Sequence, residues 1–129
     1  MTKNKEALRK KWREQTNRCR AKKSVAERIV IDSKGSDRKG HRSNDLTLEY
    51  VSALIANGCS YCGETTLRMT LDRVDNAIGH TKVNVVPACI RCNYLRRDMP
   101  FTTWMFLVPR VKEAVALGLF GTWIGGVWK

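Results

Sequence analysis

The sequence predicts an α+β fold: a small stapled core with helices on either side of it. Three observations predict this. Two Cys-x-x-Cys pairs, Cys59/Cys62 and Cys89/Cys92, bracket a stretch with strand, turn, strand and helix patterning. Residues 3–23 ahead of it are rich in helix formers and contain no Gly or Pro. Behind it, Trp104, Leu107, Val108, Val111 and Val115 recur at helical spacing.

At 129 residues the chain reads as one domain with an extension. Residues 1–44 form a basic helical arm and loop, 45–98 the core, and 99–129 a C-terminal helix with an apolar tail. A core of roughly 60–70 residues buries limited apolar surface and usually needs a staple. The net charge of +12 points to a polyanionic partner, nucleic acid before a membrane surface. No apolar run of about 18 residues predicts a transmembrane helix. The basic start lacks a following apolar segment, so it does not read as a secretory signal. The expected compartment is the cytoplasm, that of a host if the chain is phage-encoded. In a reducing compartment, paired Cys-x-x-Cys motifs favour a metal over disulfides.

In the arm, residues 1–43 hold 15 of the 24 Lys and Arg residues against five acidic ones. Leu8, Trp12 and Cys19 make one weak apolar stripe on the first helix, and Cys19 reads as a small apolar contact. Lys10, Lys11, Arg13, Arg18, Arg20, Lys22 and Lys23 occupy the other faces. They suit salt-dependent contact with phosphates, without sequence readout; the alternative is a solvated extension. Ser24 and Glu27 have capping-box spacing for a second helix, although Ile29-Val30-Ile31 reads equally as a short strand. The spacing then predicts a mobile loop over residues 33–44, with Arg38, Lys39 and Arg42 placed to reach a nucleic-acid backbone and His41 solvated. Asp45 or Thr47 can cap the next helix, whose apolar positions are Leu48, Val51, Leu54 and Ile55. Gly58 ends it.

Four thiolates from Cys59, Cys62, Cys89 and Cys92 suit tetrahedral Zn²⁺ in a closed, structural site. Reduced thiols or a redox pair are the alternatives. Between the pairs, a strand over residues 67–74 places Met69, Leu71 and Arg73 on one face and Thr70 and Asp72 on the other. Asp75, Asn76 and Gly79 supply a turn, with Asp75 capping it or pairing with a basic neighbour. Residues 83–86 return as a second strand ended by Pro87. A helix then starts at the second Cys pair, with Asn93, Arg96 and Arg97 on one face. Arg96 and Arg97 are candidate nucleic-acid contacts.

Leu71-Asp72-Arg73-Val74-Asp75, Asn84, and the run Cys89-Ile90-Arg91-Cys92-Asn93 carry a resemblance. The stretch resembles the HNH, or His-Me finger (ββα-metal), endonucleases, in the zinc-bearing branch where Arg replaces the usual catalytic His. It is closest to phage HNH enzymes and small rare-cutting restriction endonucleases. The resemblance covers residues 59–98 well and 45–58 loosely. It implies a zinc-stapled ββα-metal core that hydrolyses DNA with Mg²⁺ or Mn²⁺ and leaves 5′-phosphate and 3′-hydroxyl ends. Asp72 and Asn93 are then the ligands of the catalytic metal, both offering hard oxygens, and Asn84 shapes the loop. Arg73 stands at the place of the general-base His. A guanidinium stays protonated, so Arg73 suits a phosphate clamp; a surface ion pair with Asp72 or Asp75 is the plainer reading. Tyr61, implicated through the Arg-bearing relatives, His80, or water with no side-chain base remain candidates for activating the nucleophile. Tyr61 reads equally as a core aromatic beside the cysteines.

At the C-terminal end, Thr102 or Thr103 can cap a helix that Pro109 kinks or divides. The apolar run 117–128 packs back on the core or forms a homodimer contact. The partner expected is double-stranded DNA, nicked or fully cut, and no membrane. The rivals are a zinc-containing DNA-binding module without catalysis, and an RNA-directed nuclease.

Overall fold

The computed structural model describes residues 2–125 and is a mixed α+β structure. Its elements are α1 (Thr2–Ala21), α2 (Val25–Lys39), α3 (Leu48–Ile55), β1 (Met69–Arg73), β2 (Val85–Cys89), α4 (Ile90–Arg96) and α5 (Phe101–Ala116). The sheet is a single antiparallel pair, with Met69 opposite Cys89, Leu71 opposite Pro87 and Arg73 opposite Val85. Among the described residues, no helix is long and apolar enough to cross a membrane.

Two apolar clusters hold these elements together. One gathers Cys59, Tyr61, Met69, Ala88, Cys89, Cys92, Trp104 and Val108, so α5 closes over the cysteine end of the hairpin. The other gathers Ala26, Leu46, Val51, Leu71 and Val85, and brings α2 and α3 onto the sheet. Ile55 packs against both. α1 buries nothing: Leu8 and Trp12, the latter 71% exposed, lie open, and so does Cys19, which does not make the apolar contact expected of it. The end of α1 is tied to α2 by a bidentate pair from Arg20 to Asp32, at 2.9 and 3.0 Å.

The largest departure from the sequence reading is in residues 33–44. The Ser24 hydroxyl accepts the Glu27 N–H and starts α2, as the capping spacing predicts. The helix then runs on to Lys39, through Ile29-Val30-Ile31 and through the predicted loop. The reason is its inner face. Ala26, Ser33 and Asp37 are buried and Ile29 and Val30 half-buried, a continuous helical stripe in which two of the members are polar. His41, exposed, follows the helix in the left-handed region at φ 55°.

Smaller corrections concern three boundaries. Thr47, of the two candidates, caps α3 by accepting the Tyr50 N–H, and Gly58 takes φ +80° after it. β2 does not end at Pro87 but continues to Cys89. A two-stranded sheet has only edge strands, where a missing N–H is tolerated. Pro100, rather than Thr102 or Thr103, occupies the N-cap of α5, and Pro109 sits inside one continuous helix. Pro109 and Met105 are both exposed, so the Met105 carbonyl left without its donor can take water. After α5 the chain does return to the core. The Phe120 ring lies under the Arg91 guanidinium, and Trp123 meets Tyr94 edge-on at 5.8 Å. Trp128 lies outside the described residues.

Two glycines give a paired test of this packing. Gly35 sits inside α2 with nothing within 4 Å of where a Cβ would stand, whereas a Cβ on Gly79 would come 1.8 Å from the Ser43 carbonyl oxygen. Gly35→Ala is expected to raise stability by about 0.5–1 kcal/mol, as for any open helix interior. Gly79→Ala is expected to lower the melting temperature, because the loop can no longer seat on residues 42–43. Thermal melts of the two variants check both signs.

Candidate functional site

The four cysteines predicted as one site converge: their sulfurs lie within 4.8 Å of one another. Cys62 and Cys89 Sγ are 3.7 Å apart, too far for a disulfide. Four sulfurs at about 2.3 Å from a tetrahedral zinc stand roughly 3.8 Å apart, so the cluster can hold a metal ion such as zinc. Local sequence sets this geometry. Gly63, at φ +78°, turns the first pair, and its N–H closes on the Cys59 carbonyl at 2.9 Å. Cys89 ends β2, caps α4, and accepts the Cys92 N–H on its sulfur. With four protein donors, such a site has no open position for water or substrate.

Beside it lies a buried polar cluster centred on Asp72. Asp72 is 4% exposed, and its Oδ2 accepts the Tyr61 hydroxyl at 2.5 Å and Arg96 Nη1 at 2.6 Å. Arg96 is 1% exposed. It also donates to the Arg73 carbonyl, to the Val74 carbonyl at 2.9 Å and to the Met99 carbonyl at 3.1 Å, tying α4 to the end of β1. Arg96 is therefore not the phosphate contact the sequence suggested, because its charge is spent inside the fold. Tyr61 is not placed to act as a base either. Burial and the Asp72 carboxylate push its pKa well above the ordinary phenol value, and the ring packs edge-on against Trp104 at 5.3 Å. The plainer reading, a core aromatic beside the cysteines, is the one observed.

Asn93 reaches the same face of β1 two residues earlier. Its Nδ2 donates to Thr70 Oγ1 at 2.8 Å and to the Leu71 carbonyl at 3.5 Å. That arrangement assigns Nδ2 inward and leaves Oδ1 as the outward atom. Among the described residues, neither Asn93 Oδ1 nor Asp72 Oδ1 takes a hydrogen bond. Two hard oxygens are thus left free on the face of β1 that α4 covers.

The loop between the strands is held from inside by Asn84. Its Oδ1 accepts the Asp75 N–H at 2.9 Å, and its Nδ2 spans the carbonyls of Asp75, Ile78 and Gly79. These four bonds tie the two ends of the loop together. Asp75 caps the turn through the Ala77 N–H at 2.9 Å. Arg73 pairs with neither Asp72 nor Asp75. Its Nη1 donates to the Asn76 and Ile78 carbonyls at 3.0 and 3.2 Å, and burial, followed by Arg42, lowers its pKa.

Sequence reasoning missed how the loop is held from outside. Asp37 of α2, its side chain 1% exposed, accepts the His80 backbone N–H at 2.8 Å, His80 Nδ1 at 3.0 Å, Asn44 Nδ2 at 2.8 Å and Arg42 Nε at 3.1 Å. Burial alone would raise the Asp37 pKa; the bonds from His80, Asn44 and Arg42 overrule it and bring it down to about 2. Arg42 is thereby committed to Asp37 and Ser36 and is not the free backbone contact expected. The available signal was the helical spacing of residues 26, 30, 33 and 37, masked by the polar character of Ser33 and Asp37. Of the remaining basic candidates, Lys10, Lys11, Arg13, Arg18, Lys22, Arg38, Lys39 and Arg97 are exposed and Lys23 is half-buried. Arg20 is engaged with Asp32, and Arg97 stacks on Tyr94 at 4.5 Å.

Two outcomes follow from this geometry. Purified chain is expected to carry one zinc, and a strong chelator to lower its thermal stability sharply, because metal binding and folding are coupled; elemental analysis and a melt with and without chelator check this. Arg96→Ala leaves the Asp72 carboxylate buried without its cation and is expected to cost about 3–5 kcal/mol. Arg97→Ala, one residue on and exposed, is expected to cost less than about 1 kcal/mol by denaturant titration. Compared with protein-family models and with curated proteins, the chain has no match, so the site is read from its own residues.

Proposed function

We propose that the chain is a metal-dependent DNA endonuclease of the ββα-metal kind, its structural ion held by the four cysteines. The observation that carries the reading is the pair of free oxygens, Asp72 Oδ1 and Asn93 Oδ1, on one face of β1. Each belongs to a side chain whose other polar atom is fixed by hydrogen bonds. One carboxylate and one amide oxygen suit Mg²⁺ or Mn²⁺, which keep several further positions for water and phosphate. Such an ion, when bound, stabilises the charge that builds on the phosphoryl oxygens and on the leaving oxygen.

The chain's own residues supply the rest. Tyr61 and Arg96 orient the Asp72 carboxylate; Thr70 and the Leu71 carbonyl orient the Asn93 amide. Arg73 remains a cation at the end of β1 and serves as a clamp for a phosphate oxygen. The exposed basic residues of α1 add sequence-independent affinity for the DNA backbone. One such site cuts one strand, so a double-strand break takes a dimer or two successive nicks.

A second reading is favoured by one contact. Arg96 lies 2.6 Å from Asp72, a fixed positive charge against the carboxylate that a dication would need. On that reading the module binds DNA without cutting it. A supercoiled-plasmid assay with Mg²⁺ or Mn²⁺ decides. Nicking by the wild type and its loss, by roughly 100-fold or more, in folded Asn93→Ala is the expected result; binding without nicks in either metal selects the second reading. Matched single-stranded DNA and RNA substrates report whether duplex DNA is preferred. DNA affinity is expected to fall steeply between low and moderate salt, and the slope to flatten in a Lys10→Ala, Lys11→Ala, Arg13→Ala triple variant.

A further inference from the structure

The nuclease reading leaves one task unassigned, since Arg73 cannot accept a proton and Tyr61 is buried against Asp72. A different pair of residues is arranged for it. The His80 ring is held at Nδ1 by Asp37 Oδ2 at 3.0 Å, and the same carboxylate oxygen takes the His80 backbone N–H at 2.8 Å. Asp37 is in turn fixed by Asn44 and Arg42. Three donors around a carboxylate that is 1% exposed settle its orientation, and through it the orientation of the imidazole. With Nδ1 on a carboxylate, the ring carries its proton there and Nε2 is left as the acceptor. A histidine buttressed this way is the arrangement by which a base is aimed at a reacting water.

The ring also lines a cleft that runs on toward Asn93. His80, Arg68 and Thr70 line a cleft of about 240 Å³ on the α2 side of β1. Arg68 and Thr70 equally line the neighbouring cleft of about 380 Å³, together with Asn93 and Arg97. Sharing two residues, the clefts make one groove along β1, and Thr70 in the middle holds the Asn93 amide. Arg68 and Arg97 give that groove positive charge.

We infer that His80, positioned by Asp37, is the general base of the proposed hydrolysis. His80 Nε2 takes a proton from a water as the water oxygen bonds to phosphorus. The bond from phosphorus to O3′ breaks, its electron pair leaves with O3′, and O3′ takes a proton from solvent. The products are a 5′-phosphate and a 3′-hydroxyl. The charged groups around the ring come from every neighbouring element: Asp37 and Asp32 of α2, Arg42 of the following linker, Arg68 ahead of β1 and Arg73 at its end. Burial lowers the His80 pKa from its ordinary value, and Arg73 and Arg42 act in the same direction against Asp37. The neutral, proton-accepting form therefore persists through neutral pH and is lost only on the acid side of the ordinary imidazole range.

This inference rests on the nuclease reading, and the test separates the two. Plasmid nicking is measured for the zinc-loaded full chain with Mg²⁺, for wild type, His80→Ala and Asp37→Asn, each with its melting temperature. The expected result is a loss of roughly 100-fold or more in His80→Ala, partial rescue by added imidazole, and a smaller loss in Asp37→Asn. Wild-type activity is expected to fall only on the acid side of the ordinary imidazole range, and the melting temperature to decline over the same span, since the unfolded chain takes up that proton more readily than the folded one. A folded His80→Ala that nicks like wild type overturns the assignment of His80 and leaves the nuclease reading standing. Where His80→Ala does not fold, His80→Gln, which keeps a polar side chain of similar reach, takes its place with the same expected loss. A folded, zinc-loaded wild type that makes no nick removes the nuclease reading and this assignment with it.

Discussion

Four cysteine sulfurs that meet within 4.8 Å fix two distant parts of the chain at one point. Cys59 and Cys62 lie on the turn after α3, Cys89 ends β2 and Cys92 lies in the first turn of α4. A pair of five-residue strands is marginal by itself in water. Here the hairpin is closed at its cysteine end by the cluster, and the same end is covered by Trp104 and Val108 of α5. Four ionised sulfurs at this separation would repel one another, so an ion held between them would couple its binding to the folding of this half of the molecule.

What the cluster fixes next is a buried charge. With α4 anchored at its N-terminus by Cys89 and Cys92, Asn93 and Arg96 are carried onto the Thr70 and Asp72 face of β1. An ion pair this deep adds little net stability, because both groups lose their hydration. Its value lies in geometry. Arg96 reaches a side-chain oxygen and three backbone carbonyls at once, and no small rotation of α4 keeps all four contacts. Asp72 is held with Oδ2 occupied by Tyr61 and Arg96 and the other oxygen open.

The part of this arrangement legible in the sequence is the part governed by local rules. Cys spacing gave the cluster, alternation gave β1, Ser24 and Thr47 gave two helix starts, and Asn84 could be assigned to the loop. Long-range pairing was not legible. Nothing local distinguishes Arg96 from Arg97, yet one is buried on Asp72 and the other stacks on the exposed side of Tyr94. Asp37 looked like loop composition because it stands among Gly, Ser and basic residues; its partner is the backbone and ring of His80, forty-three positions away. Tyr61 had two readings from sequence, and the choice between them depended on α5 arriving above it.

Those long-range contacts also decide what the N-terminal half is for. The loop between β1 and β2 is gripped from one side by Asn84, and from the other by Asp37 at His80, Asp45 at the Lys82 N–H and Tyr50 at the Lys82 carbonyl. The last three come from α2, the following linker and α3, so the shape of a loop in the core is set by residues ahead of it. Gly79 lies so close to the Ser43 carbonyl that no side chain fits between loop and linker. The strand-strand-helix unit bounded by the cysteines carries Asp72, Asn93 and Arg73, but the ring of His80 and the resting place of the loop depend on α2. The division that matters physically falls after α1, the helix with no buried residue, whereas α2, β1, the loop at His80 and α4 all line the groove.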